Sequence, residues 1–154
     1  MVVLGISIGT RQSGIAIIDN RELVIWQMLT INTETQIHHH VLSWYVAQFS
    51  VSVVIIKLPP ETHITKRMQQ LLHSLVSLFQ ELGCAIHQKT DKSIKQTLPL
   101  IKNKQDIIDL TTNHYPDLIP EKIKESSNKN KYYIKLFEAV LIAHQHLLSD
   151  SPHY

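Results

Sequence analysis

The chain has 154 residues, 44% of them hydrophobic and 18% charged, which suits one domain with a sizeable core and excludes a disordered chain. A single cysteine, Cys84, excludes an internal disulfide framework, and no apolar run approaches the roughly 18 residues of a membrane span. The formal net charge of +2 names no partner by itself.

Charge is unevenly spread. Residues 1–88 hold five Lys/Arg and five Asp/Glu, whereas residues 89–135 hold ten Lys against six Asp/Glu. The second half suits an anionic partner, although a lysine-rich solvated surface has the same composition. The N-terminus lacks the basic region, apolar run and small-residue cleavage site of a leader. With no disulfide framework, the expected compartment is a reducing cytoplasm.

In chain order, residues 1–8 are apolar and β-branched and predict a strand. A glycine-rich turn over 9–14 leads to a second strand, 15–19, and Asn20-Arg21 closes a tight hairpin into a third, 22–31. Residues 36–49 carry Ile37, Val41, Trp44, Tyr45 and Phe49 near helical spacing. Residues 51–57 read as a buried strand ended by Pro59-Pro60. Residues 64–82 form the clearest helix, with Met68, Leu71, Leu72, Leu75, Leu78, Phe79 and Leu82 on one face and Gly83 stopping it.

A fifth strand follows at 84–87, with Cys84 as a small buried hydrophobe. Short helices are predicted at 91–97 and 104–113, and a loop or frayed helix at 116–131. A final helix at 132–148 points Ile134, Phe137, Val140, Leu141 and Leu148 inward. The order β-β-β-α-β-α-β predicts an α/β fold: a five-stranded mixed sheet, antiparallel in its first three strands and flanked by helices. Residues 1–150 read as one domain and 151–154 as a C-terminal tail.

The most informative string is Gly5-Ile6-Ser7-Ile8-Gly9-Thr10-Arg11-Gln12-Ser13-Gly14. It resembles the G-I-D-x-G-[ST]-x-x-x-G hairpin of the RNase H-like superfamily, in particular the RuvC resolvases and their smaller YqgF relatives. In that hairpin the Asp is the first metal ligand, and the glycines allow a sharp turn and close approach to a ligand. Here the Asp position is Ser7. The likeness continues along the chain. Lys57 stands at the resolvases' catalytic Glu, and Leu58-Pro59 is similar to the G-L-P of the YqgF group. Residues 93–97 resemble the segment beginning V-K-Q, and 102–112 the lysine-containing helix after it. Residues 137–144 resemble D-x-x-D-A-L-A-I-A, with Lys135 at the first Asp position and Glu138 at the second.

The resemblance implies an RNase H-like fold and a carboxylate cluster for two Mg²⁺ ions that clamp the attacking and leaving oxygens. The departures imply otherwise. Ser7 is a poor Mg²⁺ ligand, and Lys57 and Lys135 bring ammonium groups to where cations should sit. The expected replacement is electrostatic: Lys57 pairs with Glu138, with Ser7 in hydrogen-bonding reach. Expected phosphate contacts are Arg11, Gln12, Lys92, Lys95, Lys102 and Lys104, with no metal or cofactor. The leading reading is a catalytically impaired domain binding DNA, RNA or a protein partner, with a homodimer through the helix at 64–82.

The runner-up is a Mg²⁺-dependent endonuclease of resolvase or RNA-processing type with a rearranged acid set, drawing on Glu61, Glu34 or Asp19. A third reading is a structural protein-interaction module. The turn also resembles the phosphate loop of two-lobed ATPases, but the chain is too short for two lobes. Ser7 has no nucleophile elbow around it. Among ten histidines, His38-His39-His40 diverge around a helix and read as solvated or core-edge groups. His144 alone is placed where it would line the cleft. Of the aromatics that could stack on bases, Trp44 sits at core spacing, Trp26 on the sheet face, and Tyr132-Tyr133 near the lysines.

Overall fold

A computed structural model of the chain describes residues 1–30, 37–127 and 133–149. Five strands form one sheet in the order β3-β2-β1-β4-β5. β1 (Val2–Ser7), β2 (Ser13–Asp19) and β3 (Glu22–Leu29) make the antiparallel meander. Asn20 and Arg21 both take positive φ, 51° and 70°, matching the twist of a tight hairpin. β4 (Val53–Lys57) lies parallel to β1, and β5 (Ala85–Lys89) parallel to β4. No helix among the described residues is long and apolar enough to cross a membrane.

Both faces of the sheet are covered, so β1, β2 and β4 are buried almost throughout. On one face α1 (Ile37–Phe49) and α2 (Lys66–Glu81) cover Leu4, Ile6, Ile15, Ile17, Val54 and Ile56. On the other, α6 (Ile134–Ser149) lies against Val3, Ala16, Ile18, Val53 and Ile55. α6 is buried nearly all round because α4 (Lys104–His114) packs on its outer side. α3 (Asp91–Thr97) and α4 both begin in capping boxes, on Thr90 and Asn103.

Of the two readings of residues 116–131, loop or frayed helix, residues 116–127 take the helical one: a 3-10 turn at Pro116–Leu118 and α5 (Ile119–Ser127). Both prolines fall in first turns, where the missing N–H is not needed. Trp44, expected at core spacing, is exposed, because α1 turns His38, Leu42 and Val46 inward; its ring is tilted 59° to that of Tyr45, with ring centres 5.6 Å apart. Leu82, the C-cap of α2, and Leu148, in the last turn of α6, are also exposed rather than facing inward. Cys84 is buried, and burial pushes its thiol pKa up. Residues 128–131 of the expected loop, Tyr132 and the tail lie outside the described residues.

Candidate nucleic-acid interface

Strand alternation and register assemble the site. Ser7 and Lys57 are the last residues of β1 and β4, and they are direct partners across the parallel pair. Residues two apart share a face. Ser7 therefore points the same way as Val3 and Gly5, and Lys57 the same way as Val53 and Ile55, toward α6. Gly5 and Gly14 let α6 settle there. A Cβ on Gly5 would strike the Ala139 carbonyl, and one on Gly14 the Lys135 carbonyl. The close approach these glycines permit is thus to the chain's own helix. It lowers the first turn of α6 onto the strand ends and delivers Lys135 and Glu138 over Ser7.

The four sequence-aligned residues meet. Lys57 Nζ lies 2.8 Å from Glu138 Oε2, and Lys135 Nζ lies 3.1 Å from Glu138 Oε1. The Ser7 hydroxyl donates to Glu138 Oε1 at 3.4 Å. A fifth member was not foreseen: Asp91 Oδ1 is 3.0 Å from Lys57 Nζ. Its signal lay in the topology. Asp91 opens the helix after β5, and β5 ends beside Lys57, since Lys89 is the register partner of Lys57.

Lys57 is only 2% exposed, the most buried charged side chain of this group. Burial is the largest influence on its pKa and pulls it down. The Glu138 and Asp91 carboxylates together outweigh that pull and hold the ammonium above its ordinary value of 10.5. The buried charge is thus compensated, and each Glu138 oxygen has an ammonium partner.

Lys57, Asp91, Lys135 and Glu138 form the floor of a cleft of about 420 Å³, whereas Ser7 is fully buried and does not line it. Lys95, Lys102 and Lys104 line the same cleft, contributed by α3 and the start of α4. Ile101, Ile107 and Ile134 supply apolar wall, and His63 a further imidazole that the sequence did not flag. Five lysines therefore face two carboxylates. Arg11, Gln12 and Lys92 are not among the lining residues: Arg11 and Gln12 occupy the β1–β2 turn, and Lys92 is exposed on α3.

The other candidates sit elsewhere. Asp19 pairs with Val2, at the opposite end of the strands from Ser7, and Glu61 is exposed in a 3-10 turn. Glu34 lies outside the described residues. His144 does not line this cleft; its Nδ1 is 2.8 Å from the Tyr115 hydroxyl in a separate pocket with Arg21 and His114. Burial is the main reason its pKa falls to about 4, with His114 and Arg21 adding to it. His38 is buried in α1, and His39 Nε2 is 2.8 Å from Ser74 Oγ. Trp26 donates from Nε1 to Glu121 Oε1 at 3.3 Å, and Trp26 and Tyr133 both pack, partly buried, against the core. Among the described residues, no group of three or more His, Cys, Asp or Glu side chains is arranged to hold a metal ion.

The chain matches no model of a known protein family and no curated protein. Solved structures do match. RuvC of Thermus thermophilus in complex with a Holliday junction substrate aligns over 96% of this chain and 93% of its own, with TM-score 0.69 and 15% identity. A second Thermus thermophilus RuvC structure gives TM-score 0.68 at the same identity and coverage. The fowlpox virus resolvase with Holliday junction DNA covers 96% of this chain and 99% of its own, at TM-score 0.59 and 16% identity. At these identities the likeness establishes the fold: the five-stranded sheet and its helices have the RNase H-like arrangement of the Holliday junction resolvases.

Proposed function

We propose that this chain is a nucleic-acid-binding domain of the RuvC type that holds branched DNA in its lysine-lined cleft and has lost metal-dependent cleavage. The observation that carries the reading is the Lys57 ammonium, seated between Glu138 and Asp91 at 2.8 and 3.0 Å. The resemblance implies divalent cations at these strand ends. Mg²⁺ needs a shell of oxygen ligands, and two ions need several carboxylates between them. Here both oxygens of Glu138 already meet ammonium groups, and an added cation would meet two like charges. The donor set does not fit the group, and no hydrolytic step is assigned to these residues.

Branched DNA is the preferred ligand because the similar folds include two solved with Holliday junctions. Lysines reaching phosphates hold a backbone without reading its bases, so binding should be salt-sensitive and weakly sequence-specific. Fluorescence anisotropy with a four-way DNA junction, a linear duplex and a single-stranded RNA tests this across a salt series. The junction should bind tightest, with affinity falling as salt rises. Binding of none of the three would remove nucleic acid from the account and favour a protein-interaction module.

One observation favours the endonuclease as a second reading. Asp91 adds an acid that the sequence alignment did not supply, 3.0 Å from the same ammonium as Glu138. That reading requires Lys57 to leave the two carboxylates. It predicts Mg²⁺-dependent strand cleavage that Asp91→Asn abolishes.

A further inference from the structure

We infer that Lys57 is a built-in counter-cation, held by Glu138 and Asp91, that lets the cleft bind a phosphate backbone without a divalent ion and leaves Lys95, Lys102 and Lys104 to contact the phosphates. This rests on the nucleic-acid reading and adds that binding in the cleft is indifferent to divalent metal.

The lysines of the cleft fall into two sets. Lys57 and Lys135 are spent inside the protein. Lys57 is buried and bridges α6 to the start of α3, while Lys135 is tied to Glu138 within its own helix. Lys95, Lys102 and Lys104 are exposed on the walls, and their ammonium groups pair with no carboxylate among the described residues. The inner set neutralises the floor and the outer set attracts. Without the inner set, Glu138 and the half-exposed Asp91 would confront an incoming phosphate with like charge. A nuclease site commonly meets that repulsion with bound metal. Here a side chain does so, and it cannot be removed by a chelator.

Asp91 is then a positioning residue. It opens α3 directly after Thr90, whose side chain accepts from the Ser93 N–H. Its carboxylate holds Lys57 from α3, as that of Glu138 does from α6. The wall set also bounds the salt response. Three phosphate contacts give a log–log salt slope of roughly −3 on duplex arms.

The test measures binding of a four-way DNA junction by anisotropy at constant ionic strength, in EDTA and in Mg²⁺. The wild type should bind equally in both, within twofold. Lys57→Met should lose at least tenfold in EDTA and regain part of it in Mg²⁺, because a cation can then enter between the carboxylates. Lys57→Met/Asp91→Asn/Glu138→Gln removes the acids with the ammonium, and it should bind in EDTA nearly as well as the wild type. That variant carries the test if Lys57→Met does not fold, because it leaves no unpaired carboxylate. A wild type that needs Mg²⁺ to bind overturns the inference while leaving the nucleic-acid reading intact, as does Lys57→Met binding like the wild type in EDTA. A wild type that binds in neither condition overturns both.

Discussion

On the α6 face of the sheet, the buried ammonium of Lys57 has two carboxylates within 3.0 Å. On the opposite face, the buried imidazole of His38 has no hydrogen-bond partner on either ring nitrogen among the described residues. Both positions interrupt an apolar layer, but in opposite ways. The first is a network with each charge answered, at the strand ends and open to a cleft. The second is a buried polar ring on α1 whose edge-on contact with His39, ring centres 4.5 Å apart, supplies no hydrogen bond. A paired buried charge beside a cleft indicates a site. An unpaired buried imidazole indicates a stability liability.

Breaking the network should give the largest effect. Glu138→Ala strips Lys57 of its nearer carboxylate and leaves Asp91 alone with a buried ammonium. The expected loss is about 3–5 kcal/mol, read as a drop in Tm by calorimetry. Lys57→Met/Glu138→Leu, which removes both charges, should recover most of it; a double variant as unstable as the single would show that packing, not charge, is at stake. The Lys57 contribution has a definite pH window. Its pKa is raised in the folded state, so the stabilisation is complete below pH 10.5 and lost only as pH rises past the folded value.

The seat of α6 is the next lever. Gly14→Ala puts a methyl into the Lys135 backbone carbonyl and must shift the first turn of α6. A loss of about 1–3 kcal/mol is expected. Junction affinity should fall with it, since the same turn carries Lys135 and Glu138. Unchanged stability would contradict the role of this glycine.

His38 sharpens the other side of the comparison. Burial, with a smaller push from His39, lowers its pKa to about 4 from 6.5. The unfolded state therefore takes up the proton first, and stability present above pH 6.5 drains away as pH falls toward 4. His38→Leu should flatten that acid limb by about 3 kcal/mol, and gain about 1 kcal/mol at pH 7 by removing unpaired polar atoms. Parallel stability–pH curves for variant and wild type would contradict the assignment.

The smallest effect is confined to the cleft wall. Lys102→Gln or Lys104→Gln should leave Tm unchanged and reduce the log–log salt slope of junction binding by about 1 each. The same change at Lys92, outside the cleft, should leave the slope as it is.

The five-stranded mixed sheet, with its first three strands antiparallel, was legible because β-branched runs, a two-residue turn and helical crossovers leave few topologies. The meeting of Ser7, Lys57 and Glu138 was legible through the family resemblance; periodicity alone would have paired nothing across 131 residues. Asp91 was missed because a helix-opening Asp is ordinary capping chemistry, and only the β4–β5 register brings it beside Lys57. Trp44 was misplaced because the apolar spacing of α1 fits two adjacent faces, and the buried one runs through His38, Leu42 and Val46. α5 was hidden by Pro116 and Pro120, which mark breaks in a sequence but sit comfortably in first turns.

The central claim is that the cleft binds branched nucleic acid and does not cut it. A four-way DNA junction incubated with the protein in Mg²⁺ or Mn²⁺, then resolved on a denaturing gel, tests it directly. Intact strands, at protein concentrations where anisotropy reports a saturated complex, are the predicted result. Strands cut at the branch point by the wild type, and left whole by Glu138→Ala and Asp91→Asn, would contradict it and make the chain a working nuclease.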